Sequence, residues 1–263
     1  MKKNYLLSVL ICVIAVMAVT SVVSAADLLD QIKEKGSITI AMEGTWAPWT
    51  YHNEADELVG YDVEVGKNIA ERLGVEAEFV EGPWDGLLAG LEVGRYDIMI
   101  NGVGITPDRQ KKYDFSTPYA YNTPVVIVRG DNDSIHSMED LKGKRTANTI
   151  TSTFAETAEK FGAEVIGVDD LNQTLELVLS GRIDATLNTE VTYFDYMKAH
   201  PDSGLKIAAY GDDVTEIGIP VRKGEDSASL LEAVNAALED MAKEGVLTEL
   251  SEKYFATDIS VLK

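Results

Sequence analysis

Tyr96-Asp-Ile-Met-Ile-Asn101-Gly-Val-Gly-Ile-Thr106-Pro107-Asp-Arg109 decides how this chain folds and where its chemistry sits. The run from Tyr96 to Asn101 predicts a buried strand. Gly102 and Gly104 follow, and a backbone without Cβ lets a ligand approach closely. Thr106-Pro107 has the pattern of a helix N-cap with proline at the first helical position. Strand, glycine-containing turn and helix start in succession mark a β/α unit. Arg109 falls in the first turn of that helix, beside free backbone N–H groups where an anion is favoured. A guanidinium there can grip a ligand carboxylate through two parallel hydrogen bonds. Alternatively, Arg109 is one of several charges on a solvated helix face.

The same alternation extends outward on both sides. Strands are expected at 37–42, 77–80 and 97–101, with helices at 61–73 and 84–93; Val65, Ile69 and Leu73 share one helix face. This predicts a parallel, β/α-wound half. The apolar run 123–129 is expected to cross between two halves. A short helix capped by 137–140 follows. Strands at 145–148, 164–168 and 184–188 and helices at 152–161, 171–179 and 190–199 predict a second wound half. The extended run 216–222 returns, and two helices at 227–243 and 246–254 end the chain. Two α/β halves joined by two extended segments form a hinge, and such architectures bind ligands beyond the carboxyl ends of their strands.

The chain begins Met-Lys-Lys, runs apolar from Leu6 to Val23 and reaches Val23-Ser24-Ala25-Ala26. This pattern predicts a secretory signal peptide over residues 1–25; an uncleaved membrane anchor is the alternative. The single cysteine, Cys12, lies in that leader, so the chain beyond it needs no disulfide in an oxidising compartment. The formal charge is −21, and −23 without the two lysines of the leader. Such a field opposes nucleic acid and anionic membranes, although a closed cleft is governed by its local groups. The sequence holds no metal-ligand cluster, phosphate-binding loop or nucleophile elbow, and no cofactor is expected. Asp169-Asp170 and Asp212-Asp213 are expected to be solvated loop charges.

Several segments together resemble the family 3 periplasmic binding proteins, the polar amino-acid receptors of ABC importers. They are Glu43-Gly-Thr-Trp-Ala-Pro48, Gly60-Tyr-Asp-Val-Glu-Val65, Trp84-Asp-Gly-Leu87, Ile105-Thr-Pro-Asp-Arg109, Asp114-Phe-Ser-Thr-Pro-Tyr119, Met138-Glu-Asp-Leu-Lys-Gly143 and Gly181-Arg-Ile-Asp-Ala185, all in the family's order. The second half is most similar to the cystine-binding branch. The resemblance implies an α/β, two-lobed type II periplasmic-binding-protein fold, with lobe 1 from residues 26–121 plus 218–263 and lobe 2 from 122–217. It implies a monomer outside the cytoplasm that binds an amino acid or related carboxylate and passes it to a membrane permease. Arg109 would hold the ligand α-carboxylate. Ser152 and Thr153 would close on the same group from a helix N-terminus, or simply cap that helix. Trp46 and Trp84 would sandwich the ligand, or pack in the core. Glu43 would meet a ligand side chain or amine, and Asn101 and Gly102 would offer groups from the strand end. Phe154 makes the pocket more apolar.

Two positions depart from the family pattern: Gly104 stands where Thr or Ser is usual, and Thr189, after Asn188, where Asp is usual. Those groups hold the ligand ammonium, which is costly to enclose without a carboxylate. Either Glu43 or Glu190 replaces them, or the ligand is not an ordinary α-amino acid. The latter possibility keeps a second function open: a secreted cyclohexadienyl or prephenate dehydratase-like enzyme on the same scaffold, with Glu43 or Glu190 as acid or base. His52, His136 and His200 fall in polar turns or helix ends, away from cleft positions. A sensor module acting through a separate membrane partner is a third possibility.

Overall fold

The computed structural model describes residues 27–262, so the leader, its cleavage site and Cys12 lie outside it. An opening helix not foreseen from the sequence, Leu28–Lys35, is capped by the Asp27 carboxylate, which accepts from the Leu29 and Asp30 N–H groups. Left-handed Gly36 closes it. The first sheet then forms in the order Glu76–Glu81, Ser37–Met42, Ile98–Met99, Pro220–Arg222, Tyr113–Phe115. Its first three strands are parallel, but Pro220–Arg222 enters antiparallel to both its neighbours. The expected all-parallel half is therefore mixed. The strand expected over 97–101 is trimmed to Ile98–Met99, because the backbone leaves the ladder where it turns toward Gly102. The helix expected after it is the single turn Pro107–Gln110.

The Tyr61–Leu73 helix has the expected bounds, entering from Gly60 and ending at left-handed Gly74. Its apolar face, with Val65 and Ile69 fully buried, packs on Ile38, Ile40 and the helix Ala228–Lys243 through Leu230, Val234 and Leu238. Each such side chain contributes about 1.5–3 kcal/mol on burial. The opposite sheet face is covered by the Trp84–Glu92 helix through Leu87 and Leu91.

In the second half Pro124–Arg129 is a central strand, flanked antiparallel by Thr186–Thr189 and Leu205–Tyr210. This corrects the expectation that 123–129 crosses between halves. Val125 to Val128 are buried on both faces, which suits an interior strand. Arg145–Asn148 pairs in parallel with Glu164–Gly167 and touches Ala185. The crossing is made instead by Ala120–Asn122 and Thr215–Ile217, hydrogen-bonded antiparallel to each other.

Asp62, in the first turn of Tyr61–Leu73, has no exposure to water. Its carboxylate accepts from the Tyr119 hydroxyl at 2.7 Å and from the Gly102 N–H at 2.6 Å. Burial outweighs these bonds and pushes the group up to about 7. A carboxyl raised on folding contributes most stability when protonated, and that contribution is lost as pH climbs from about 4 through 7. Each pH unit in that window is worth about 1.4 kcal/mol. Thermal midpoints of wild type and Asp62→Asn measured from pH 4 to 8 test this. The variant is expected to show the flatter curve over that window.

Candidate ligand-binding site

A pocket opens where the two halves meet. The first half supplies Glu43, Trp46, Trp84 and Gly102. The second supplies Asn148, Thr149, Ser152, Thr153, Phe154, Asp170, Leu171, Thr174 and Asn188, while Asn122, Thr215 and Ile217 come from the crossing strands and Pro124 follows directly. Most of these residues follow strands or open helices, where backbone groups are unpaired.

Glu43 sits just past the Ser37–Met42 strand. It is clamped to Asn101, whose Oδ1 accepts from the Glu43 N–H and whose Nδ2 donates to Glu43 Oε2, both at 2.7 Å. Burial raises the Glu43 carboxyl to about 7; the Asn101 bond opposes this, and the Asp170 and Asp85 charges add to it. Trp46 stacks on Trp49 with centroids 5.1 Å apart and meets Phe154 edge-on at 6.5 Å. Gly102, at φ 55°, lies under the Trp46 ring, where an added Cβ would come within 2.6 Å.

Three contacts tie the halves together around this pocket. Trp46 Nε1 donates to Asn188 Oδ1 at 3.3 Å. Asp85 accepts from the Thr151 N–H and hydroxyl at 2.9 and 2.7 Å. Arg109 Nη1 donates to the Gly104 carbonyl at 3.0 Å and Nη2 to the Thr151 carbonyl at 2.9 Å. The Arg109 guanidinium also lies 5.3 Å from the Trp84 ring. Arg109 is buried, which removes the solvated-helix alternative, and burial pulls its guanidinium below its usual range. Its own N–H is taken by the Thr106 cap rather than left free.

Eight of the residues expected at the site line the pocket: Glu43, Trp46, Trp84, Gly102, Ser152, Thr153, Phe154 and Asn188. Asn101, Gly104, Arg109 and Thr189 are not among the residues that line it. The hydroxyl of Ser152 is engaged in capping, accepting from the Ala155 N–H and donating to the Thr149 carbonyl. A Cβ on Gly104 would come within 3.0 Å of Thr215 and 3.3 Å of Thr153, so the usual Ser or Thr has no room without movement there. Thr189 accepts from the Thr192 N–H and donates to the Thr192 hydroxyl, which uses its one donor and one of its two acceptor positions. Glu190 is not at the pocket wall; it accepts from Tyr210 Oη at 3.0 Å.

Asp170, expected to be a solvated loop charge, instead lines the pocket. It caps the Leu171–Leu179 helix by accepting from the Gln173 N–H at 3.0 Å. The signal was available as the spacing Asp170-Leu-Asn-Gln173, a capping-box pattern that fixes an acid at a helix start. Asn148, also unforeseen, ends the Arg145–Asn148 strand at the same wall. Among the described residues no group of three or more His, Cys, Asp or Glu is placed to hold a metal ion, and no helix is long and apolar enough to cross a membrane.

Two α/β lobes facing each other across a pocket walled by strand ends and helix starts define a two-lobed ligand-binding protein. Residues 38–257 match the model of the bacterial extracellular solute-binding proteins, family 3, and the chain belongs to that family. It is 40% identical over 235 residues to the L-cystine-binding protein TcyA of Bacillus subtilis, covering 89% of this chain and 87% of that one. Among solved structures, a mutant of the arginine-binding protein ArgBP from T. maritima superposes with a TM-score of 0.81 at 32% identity, covering 87% of this chain and 99% of that one. The L-cystine solute receptor of Neisseria gonorrhoeae, in an unliganded open conformation, superposes at 0.60 with 40% identity, covering 90% of this chain and all of that one.

Gly102→Ala is expected to destabilise the fold by about 2–4 kcal/mol, from the left-handed backbone and the clash with Trp46 together. Chemical denaturation followed by tryptophan fluorescence measures it. A change below about 0.5 kcal/mol would show that the Trp46 wall yields freely, as an unconstrained surface does.

Proposed function

We propose that this protein is the extracytoplasmic substrate-binding component of an amino-acid ABC importer. It binds a polar amino acid, cystine by preference, in the cleft between its lobes and delivers it to a membrane permease. The observation that carries this reading is Arg109, a buried cation at the seam of the two lobes. A guanidinium has five N–H donors, and two of Arg109's are held by the Gly104 and Thr151 carbonyls. The others can take a carboxylate beside the Thr153–Lys160 helix N-terminus, where dipole and N–H groups add to the attraction. Trp46 and Trp84 supply apolar walls.

Lobe 1 is assigned to 26–121 and 218–263 and lobe 2 to 122–217, because the paired strands Ala120–Asn122 and Thr215–Ile217 lie at both boundaries. Hinge motion between them is supported by the comparison above. The relative at 40% identity, captured open, superposes less well than the one at 32%. Closure on ligand then stabilises the form that a permease recognises. We place the protein in the periplasm or an equivalent extracytoplasmic space, as a monomer, with no role in nucleic-acid binding given its acidity. We read it as a binding protein rather than a dehydratase: Glu190 is held by Tyr210 away from the pocket, which removes one of the two acid–base candidates.

Purified, ligand-stripped protein is expected to gain thermal stability with cystine or another amino acid by mass action. Arg109→Ala is expected to weaken binding at least about 100-fold, from loss of charge-assisted bonds of about 1.5–3 kcal/mol each. Wild-type affinity in that variant, measured by calorimetry, would sink the site. Glu43 must be ionised to meet a ligand ammonium, and its carboxyl lies at about 7. Affinity is therefore expected to rise roughly tenfold from pH 6 to pH 8 as the competent fraction grows. Glu43→Gln should abolish that slope.

A further inference from the structure

The pocket wall carries two carboxylates, Glu43 from one lobe and Asp170 from the other, and no lysine or arginine. Each carboxylate has a neutral amide neighbour or partner. Asn101 clamps Glu43. On the other wall, Asn148 is 4% exposed and gives its Nδ2 to the Leu187 carbonyl at 2.8 Å. That bond fixes which end of the amide is oxygen, and Asn148 Oδ1 is left buried with no hydrogen-bond partner. An orphaned acceptor at a cavity wall calls for a donor from whatever fills the cavity.

Asp170 itself is bonded only within its own helix start, accepting from the Gln173 N–H and, at 3.2 Å, from Gln173 Nε2. A carboxylate has about four acceptor positions, so capacity remains. Thr189 keeps one acceptor lone pair after its two bonds with Thr192 but carries no charge, and Glu190, bonded by Tyr210, is not among the lining residues. When the lobes close, a ligand with one ammonium would leave one of the two carboxylates without a counter-charge, a state relieved only by protonating it.

Building on the amino-acid-binding reading above, we propose that Asp170 and Asn148 form a second cation-recognising position opposite Glu43, and that the ligand carries two cationic nitrogens. The basic amino acids, with two cations and one carboxylate, match Glu43, Asp170 and Arg109 charge for charge; cystine also brings an ammonium at each end, together with a second carboxylate. Glu43 takes one nitrogen and the Asp170–Asn148 wall the other, while Arg109 takes a carboxylate.

Matched ligands that differ only by one cation test this by calorimetry on the mature protein. Cystine is compared with the mixed disulfide of cysteine and 3-mercaptopropionate, which keeps the length and both carboxylates but lacks one ammonium. Arginine is compared with citrulline. Asp170→Asn is the variant, because asparagine caps a helix as well as aspartate does and leaves the fold intact. In the pair that binds, the two-cation member is expected to bind at least tenfold tighter in wild type. In Asp170→Asn that gap should shrink to less than threefold, through loss of affinity for the two-cation member alone. A wild type that binds both members equally would overturn the inference while leaving the amino-acid reading standing. So would a gap that survives in the variant, or an equal loss for both members. Failure of the wild type to bind any amino acid would remove the amino-acid reading, and this inference with it.

Discussion

One buried carboxylate joins the parts that must stay in register. Asp62 lies at the start of the Tyr61–Leu73 helix, bonds the backbone at Gly102 on the pocket floor, and bonds Tyr119 at the foot of a crossing strand. Tyr61, one residue earlier, reaches the Tyr119 carbonyl with its own hydroxyl. Helix, pocket floor and crossing strand are thereby tied through two adjacent side chains. The arrangement is costly, since a carboxylate without water must be nearly fully bonded or neutral. That cost is offset by the packing around it: Trp49, Tyr61 and Tyr119 are all fully buried, and Tyr61 and Tyr119 stack with centroids 6.0 Å apart.

Electrostatics divides the molecule into scales. Over the whole chain the formal charge is strongly negative, a field that opposes the approach of polyanions. Inside, a single guanidinium is buried between two carbonyls and an indole face. Because that cation is held by lobe 1 through Gly104 and by lobe 2 through Thr151, it also belongs to the apposition of the lobes. In the proposed function, recognition and closure draw on the same group.

Much of this was legible from residue pattern. Tyr61–Leu73, Leu171–Leu179 and Glu190–Ala199 have the bounds their periodicity and caps predict, as do the strands Ser37–Met42 and Arg145–Asn148. What failed was pairing. Val125 to Val128 form an apolar run that reads alike as a crossing segment or an interior strand, and only its two antiparallel partners decide. The Leu205–Tyr210 strand exists through its distant partner Pro124–Arg129 rather than local propensity, and the small sheet of Thr45–Trp46, Thr50–His52 and Leu58–Val59 is built of locally paired strands too short to show a period. At the candidate site, residues after strands were foreseen because topology puts them there. Asp170 was missed because an acidic pair in a loop has the same composition whether it faces water or a cavity.

The crossing strand Thr215–Ile217 is flanked on its second side by the site itself. Gly104 bridges to Ile217, the Ile105 N–H donates to the Glu216 carbonyl, and the Gly218 N–H to the Val103 carbonyl. The peptide whose carbonyl holds Arg109 is thus stitched into the segment about which the lobes would turn. In the proposed function, communication between an occupied cleft and the angle of the lobes needs no relay through either core: the guanidinium that would sense the ligand and the segment that would pivot are neighbours on one short ladder of backbone hydrogen bonds.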